Sequence, residues 1–94
     1  MFEIKFGEQG EIVPVGRFDA SRVQDAASVF DAVTTSTTVD MAKLDYISSV
    51  GIGILVSTQK RLSQTGEKLR LVNTNDRIKS VFQIAGLANV FDIK

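Results

Sequence analysis

The stretch LDYISSVGIGILV (residues 44–56) holds the junction on which the reading of this chain turns. Its first residues read as a strand and its tail as an apolar helix. Between them stand Ser48 and Ser49, followed by Gly51 and Gly53. Serine is a strong N-cap, because its side-chain oxygen accepts a hydrogen bond from an N–H that the helix start leaves unpaired. A capping serine can still present its hydroxyl to solvent, so the pair can start a helix, carry chemistry, or do both.

The elements on either side extend the pattern. FEIKF (residues 2–6) alternates apolar and polar with period two, the mark of a half-buried strand. GEQG (residues 7–10) supplies turn chemistry, and EIVPVGRF (residues 11–18) reads as a strand pairing back on the first. Pro14 has no N–H for a ladder, which predicts an edge position or a local irregularity there. Residues 19–33 form a first helix, with Ser21 and Gln24 at capping-box spacing and Val23, Ala26, Ala27, Phe30 and Val33 on one stripe. A third strand is expected at about residues 39–44, then a second helix from Ser49 to about Thr65, ended by Gly66. KLRLVN (residues 68–73) is a strand signal. A third helix follows, capped by Thr74 or Asn75, striped by Ile78, Val81, Phe82 and Ala85 and closed by Gly86. VFDI (residues 90–93) adds a short last strand. Strands alternating with helices imply right-handed crossovers. The fold class is α/β, with a mixed, mostly parallel sheet of about five strands and three helices.

Composition narrows the function. At 94 residues the chain is at most one domain, large enough for one core without metal or disulfide staples. Hydrophobic residues make up 44% and charged ones 23%, which argues against disorder. Eleven basic residues balance eleven acidic ones, so charge gives no case for nucleic acid or an anionic membrane. The absence of cysteine and histidine excludes thiol nucleophiles, imidazole bases, Ser-His-Asp triads and the usual zinc sites. No signal-peptide pattern opens the chain, and no apolar run approaches the ~18 residues of a membrane span. A cytoplasmic domain is the expectation.

Motif tests close off further options. Gly51-x-Gly53 is half a dinucleotide fingerprint, but Val56 stands where its third glycine belongs. No phosphate-binding G-x-x-x-x-G-K-[ST] run exists, and no acidic cluster follows the first strand to hold magnesium. No cofactor is called for. The second helix is apolar nearly all round its first two turns. Its core stripe can use Ile52, Leu55, Val56 and Leu62, leaving Val50 and Ile54 elsewhere. Either neighbouring helices cover these two, or they form an exposed patch for a partner. The glycines would let another backbone approach this helix start closely.

Three segments carry a resemblance. VGRFDASRV (residues 15–23), LDYISSVGIGILV and VFQIAGLANVFDI (residues 81–93) are together similar to the STAS domain, specifically the stand-alone anti-sigma factor antagonists. The resemblance implies the STAS fold, here without the fourth, C-terminal helix that the family usually adds. It implies a serine, aligned with Ser49 (second choice Ser48), that a partner kinase phosphorylates. That partner would be an anti-sigma factor of the histidine-kinase-like ATPase type, with a PP2C-type phosphatase to reverse the mark. Asp19, Ser48, Ser49, Val50, Gly51, Gly53 and Ile54 would form the docking surface. No direct contact with nucleic acid, no membrane insertion and no enzymatic role are expected. Ser48 stands where the family usually has aspartate, and Val50 where it has serine or threonine. An alternative within the family is a subunit of a bacterial ABC-type lipid transport complex, which works without phosphorylation.

Overall fold

A computed structural model describes residues 2–19 and 23–94. The chain runs β1 (Phe2–Phe6), β2 (Ile12–Phe18), α1 (Val23–Asp31), β3 (Thr37–Asp40), β4 (Leu44–Ile47), α2 (Ser49–Ser63), β5 (Leu69–Val72), α3 (Asp76–Ile84) and β6 (Asp92–Ile93). The sheet order is β1-β2-β3-β5-β6, with β4 also beside β2. β1 pairs antiparallel with β2, from Phe2↔Gly16 to Phe6↔Ile12. The other pairings are parallel.

The sheet has six strands rather than about five, because the expected third strand is broken in two. β3 pairs with β5 from Thr37↔Leu69 to Asp40↔Val72, while β4 pairs with β2. Between them the chain turns at residues 41–43. There the Asp40 carboxylate accepts the Ala42 N–H at 3.1 Å and the Met41 carbonyl accepts the Leu44 N–H at 3.1 Å. Pro14 explains the break. The Gly16 N–H donates to the Lys43 carbonyl at 2.9 Å, so alternate residues of β2 aim their donors at this neighbour. Pro14 has no donor to aim, and it lies opposite the point where the neighbouring chain turns away. The proline marks a local irregularity, but not an edge, since β1 pairs on the other side at Ile4↔Pro14. Two residues on, the register slips between Gly16 and Arg17, and Gly16 takes φ 93°, a bulge conformation that L side chains disfavour.

The crossovers step the same way across the sheet. Right-handed connections then place α1, α2 and α3 on one face. Burial follows: Ile12, Phe18, Val39, Leu69 and Leu71 are buried, whereas Arg17 and Arg70 on the opposite face are exposed. That open face carries ion pairs, with Lys68 and Arg70 each 3.8 Å from Asp92. Exposed pairs of this kind contribute at most about 1 kcal/mol. Beneath the helices, Phe2 stacks on Phe18 at 4.6 Å between ring centroids, and Phe82 meets Phe91 edge-on at 5.5 Å.

On α1, Ala26 and Phe30 are buried and Ala27 is half-buried. The Ser21–Gln24 capping box and the Val23 side chain lie outside the described residues. On α3 the expected stripe holds at Ile78 and Phe82, which are buried, and at half-buried Val81, but Ala85 is the exposed C-cap, because the helix ends before it. Asn75, not Thr74, caps α3, accepting the Ile78 N–H at 2.9 Å. α2 and α3 close alike. The Leu62 and Phe82 carbonyls accept from Glu67 and Leu87, while Ser63 and Gln83 accept from Gly66 and Gly86. This is the Schellman pattern that the two glycines predicted.

Three side chains tie neighbouring elements together. Arg61 of α2 donates to the Val33 carbonyl at 2.6 Å and the Phe30 carbonyl at 2.8 Å, joining α2 to the end of α1. Gln59 accepts the Leu69 N–H at 2.8 Å, where β5 extends beyond the two-residue β6. Glu67 accepts the Ser36 N–H at 2.7 Å, pinning the loop before β3 to the strand start of β5.

At Gly51 the backbone of α2 packs tightly against β4 and the end of β2. A Cβ there would stand 2.9 Å from Ile47 Cγ1 and 3.0 Å from the Phe18 ring, both buried and packed; a Cβ at Gly53 would meet nothing within 4 Å. Gly51→Ala should therefore lower stability by about 1–3 kcal/mol, as overpacking does. Gly53→Ala should raise it by about 0.5–1 kcal/mol through helix propensity. Urea titrations of the two variants check the opposed signs.

The Glu67 carboxyl titrates below its ordinary 4.5, held down first by the Ser36 N–H and then by the Ser36 hydroxyl. A depressed folded pKa gives stability that is present above the unfolded value and lost as pH falls through the folded one. The stability difference between wild type and Glu67→Gln should therefore shrink as pH drops through the carboxylate range near pH 4, as denaturant midpoints at a series of pH values will test.

Candidate docking and modification site

β4 hands over to α2 through Ser48. The Ser48 N–H donates to the Phe18 carbonyl at 2.9 Å, a last ladder bond that sets it beside the end of β2 and hence beside Asp19. Its backbone stays extended at φ −90°, ψ 172°, and its Oγ accepts the Gly51 N–H at 3.3 Å. Ser48 is therefore the N-cap, half-buried and with its hydroxyl committed. Ser49 is the first helical residue and exposed, and the cap makes no use of its hydroxyl. Ser48 is thus committed to the cap, and Ser49 is the serine left exposed. No acidic residue occupies the first turn of α2.

The buried stripe of α2 is Gly51, Leu55, Thr58 and Leu62. The expected stripe shared Leu55 and Leu62 with it, but Ile52 and Val56 are only half-buried. Residue type concealed the other two positions. Gly51 is inside because the backbone itself packs there, and Thr58 because its hydroxyl donates to the Ile54 carbonyl at 2.8 Å. Ile52, Ile54 and Val56 stay half-buried against the core, while Val50 turns outward. Val50 is 40% exposed. With Gly53, Ile54 and Ser57 it lines a groove of about 490 Å³ between α2 and α1, whose far wall includes Ala27 and Asp31. Of the two residues expected off the core stripe, Ile54 is half-buried where α1 packs against α2, while Val50 stays exposed.

Around Asp19 lies a cluster that sequence reasoning missed. Arg17 Nε is 3.9 Å from the Asp19 carboxylate, and its guanidinium lies 4.3 Å from the centroid of the Tyr46 ring. Arg17 and Tyr46 are register partners. Only the bulge at Gly16 brings them opposite each other, and no residue pattern announces that pairing. Of the expected site residues, Asp19, Ser48 and Ser49 gather at the carboxyl ends of β2 and β4. Val50, Gly53 and Ile54 run along the adjoining flank, while Gly51 faces the core.

This arrangement offers an accessible hydroxyl, an apolar flank and a helix N-terminus. Among the described residues no group of three or more Asp, Glu, His or Cys side chains could hold a metal. Among them, too, no helix is long and apolar enough to cross a membrane.

Comparison with known proteins gives consistent results. The chain is 28% identical over 81 residues to the anti-sigma-B factor antagonist of Listeria monocytogenes, covering 85% of this chain and 71% of that protein. To the anti-sigma-B factor antagonist of Staphylococcus aureus it is 27% identical over 96 residues, covering 98% and 82%. These relatives are regulatory proteins by name. Among solved structures, the anti-sigma factor antagonist SpoIIAA in its unphosphorylated form matches with a TM-score of 0.73 and 19% identity, over 100% of this chain and 88% of that one. The phosphorylated form of SpoIIAA, from Bacillus, matches with a TM-score of 0.68 and 20% identity, over 100% and 91%. At these identities the structural likeness speaks for the fold. The STAS domain model matches residues 12–94, and the chain belongs to the STAS domain family.

Proposed function

We propose that this chain is a cytoplasmic anti-sigma factor antagonist that binds a serine-kinase anti-sigma factor and is released by phosphorylation of Ser49. The observation that carries the proposal is the division of labour at the junction: Ser48 holds the cap while Ser49 stands exposed beside an apolar flank. The antagonist names of the relatives support the binding role, and SpoIIAA, a protein of like fold, has been solved in phosphorylated and unphosphorylated forms. In this reading the partner is a kinase of the histidine-kinase-like ATPase type, and a PP2C-type phosphatase restores the free hydroxyl.

Physical chemistry favours a switch of binding rather than of fold. A phosphoserine carries about −1.5 to −2 charges at neutral pH. At the start of α2 that charge meets the positive end of the helix dipole and gains about 0.3–1 kcal/mol. At an apolar interface it must be desolvated, and a hundredfold loss of affinity takes only about 2.7 kcal/mol.

Incubation with the cognate kinase and ATP, followed by mass spectrometry, should place one phosphate on Ser49. Ser49→Ala should remain folded and bind the kinase but take up no phosphate. Ser49→Asp should unfold at about the wild-type temperature and bind at least tenfold more weakly, roughly 1.4 kcal/mol. Phosphate on Ser48 would overturn the assignment. Phosphate on neither serine, with binding retained, would favour the constitutive subunit of a transport complex.

A further inference from the structure

We infer that the partner meets α2 with an acidic amphipathic helix that crosses it at Gly53, an inference that rests on the docking role proposed above. The two glycines of the G-x-G pair have different reasons to be glycine. At Gly51 this chain's own packing requires it, since a Cβ would press on Ile47 and Phe18. At Gly53 no internal contact does, since a Cβ would meet nothing within 4 Å. Glycine in the interior of an exposed helix weakens it. What the missing side chain provides here is a notch through which another backbone can approach.

The surroundings of the notch specify its occupant. Val50, Gly53, Ser57 and Lys60 form an exposed row along α2 at spacings of 3, 4 and 3 residues. That is the seam of two helices packed at a shallow angle, with a period of about 3.5 residues. The groove beside the row has Ala27 on its far wall, so an incoming helix can settle between α1 and α2. Charge then selects its character. α2 has no acidic residue among its 15 and ends in Lys60 and Arg61. Arg61 donates to two neutral carbonyls. The charged side chains that α2 itself contributes are therefore cations, both in its last turn. Asp31, on the α1 wall, lines the groove with the opposite sign, so the acidic side of the occupant must turn toward α2. A phosphate on Ser49 would place like charge at the head of this row, so repulsion adds to desolvation in releasing the partner.

The test uses the purified cognate anti-sigma factor as probe, titrated calorimetrically at low and high salt against the full chain. Gly53→Leu should unfold at or above the wild-type temperature yet bind at least about tenfold more weakly. Lys60→Glu should bind more weakly at low salt and lose most of the salt dependence that wild type displays. Should Gly53→Leu lower the unfolding temperature, Gly53→Ala gives the same reading with less bulk. Wild-type affinity in the stable Gly53 variant, or tighter binding by Lys60→Glu, overturns this inference and leaves the docking role standing. Failure of wild type to bind any anti-sigma factor overturns both.

Discussion

At Gly51 the backbone of α2 rests directly on the Phe18 ring and on Ile47, within 3.0 Å of where a Cβ would stand. The rest of the site is arranged around that contact. With Gly51 pressed inward, its N–H points back to Ser48, which becomes the cap. The next position round the helix, Ser49, is left outside, and Gly53 and Val50 are carried to the open flank. Phe18 itself is held from below by its stack with Phe2 and bonds through its carbonyl to Ser48. One close approach therefore fixes both which serine is structural and which face of the helix is exposed.

The same geometry separates the fold from anything that happens at the surface. Leu55 and Leu62 are fully buried, each contributing about 1.5–3 kcal/mol of transfer free energy, and Arg61 ties α2 to the end of α1. A new charge at Ser49 touches none of these contacts. A regulatory event can thus alter what the surface attracts without reorganising what lies beneath it.

Much of this was legible in the sequence, for identifiable reasons. Strand and helix order followed from periodicity, and Gly66, Gly86 and Asn75 announced the helix ends through capping chemistry. The broken strand was not legible as such, although Pro14 signalled an irregularity, because its consequence falls on a neighbour distant in sequence. The stripe of α2 was misread at two positions for a related reason. Hydrophobicity ranks side chains, whereas Gly51 is buried for having none and Thr58 because its own helix satisfies its hydroxyl. The Arg17–Tyr46 contact depends on a register shift, which no local pattern encodes. For the site, residue type located the junction, but only the hydrogen bonds distinguished Ser48 from Ser49.

Gln59 gives α2 a duty unrelated to recognition. β6 is only two residues long, so the start of β5 would offer an unpaired N–H at the margin of the sheet, and the Gln59 side-chain amide occupies it. Unpaired strand margins invite edge-to-edge aggregation between molecules. The helix that carries the candidate recognition surface therefore also completes the backbone pairing of β5, so an event that pried it from the sheet would leave a strand donor without its partner.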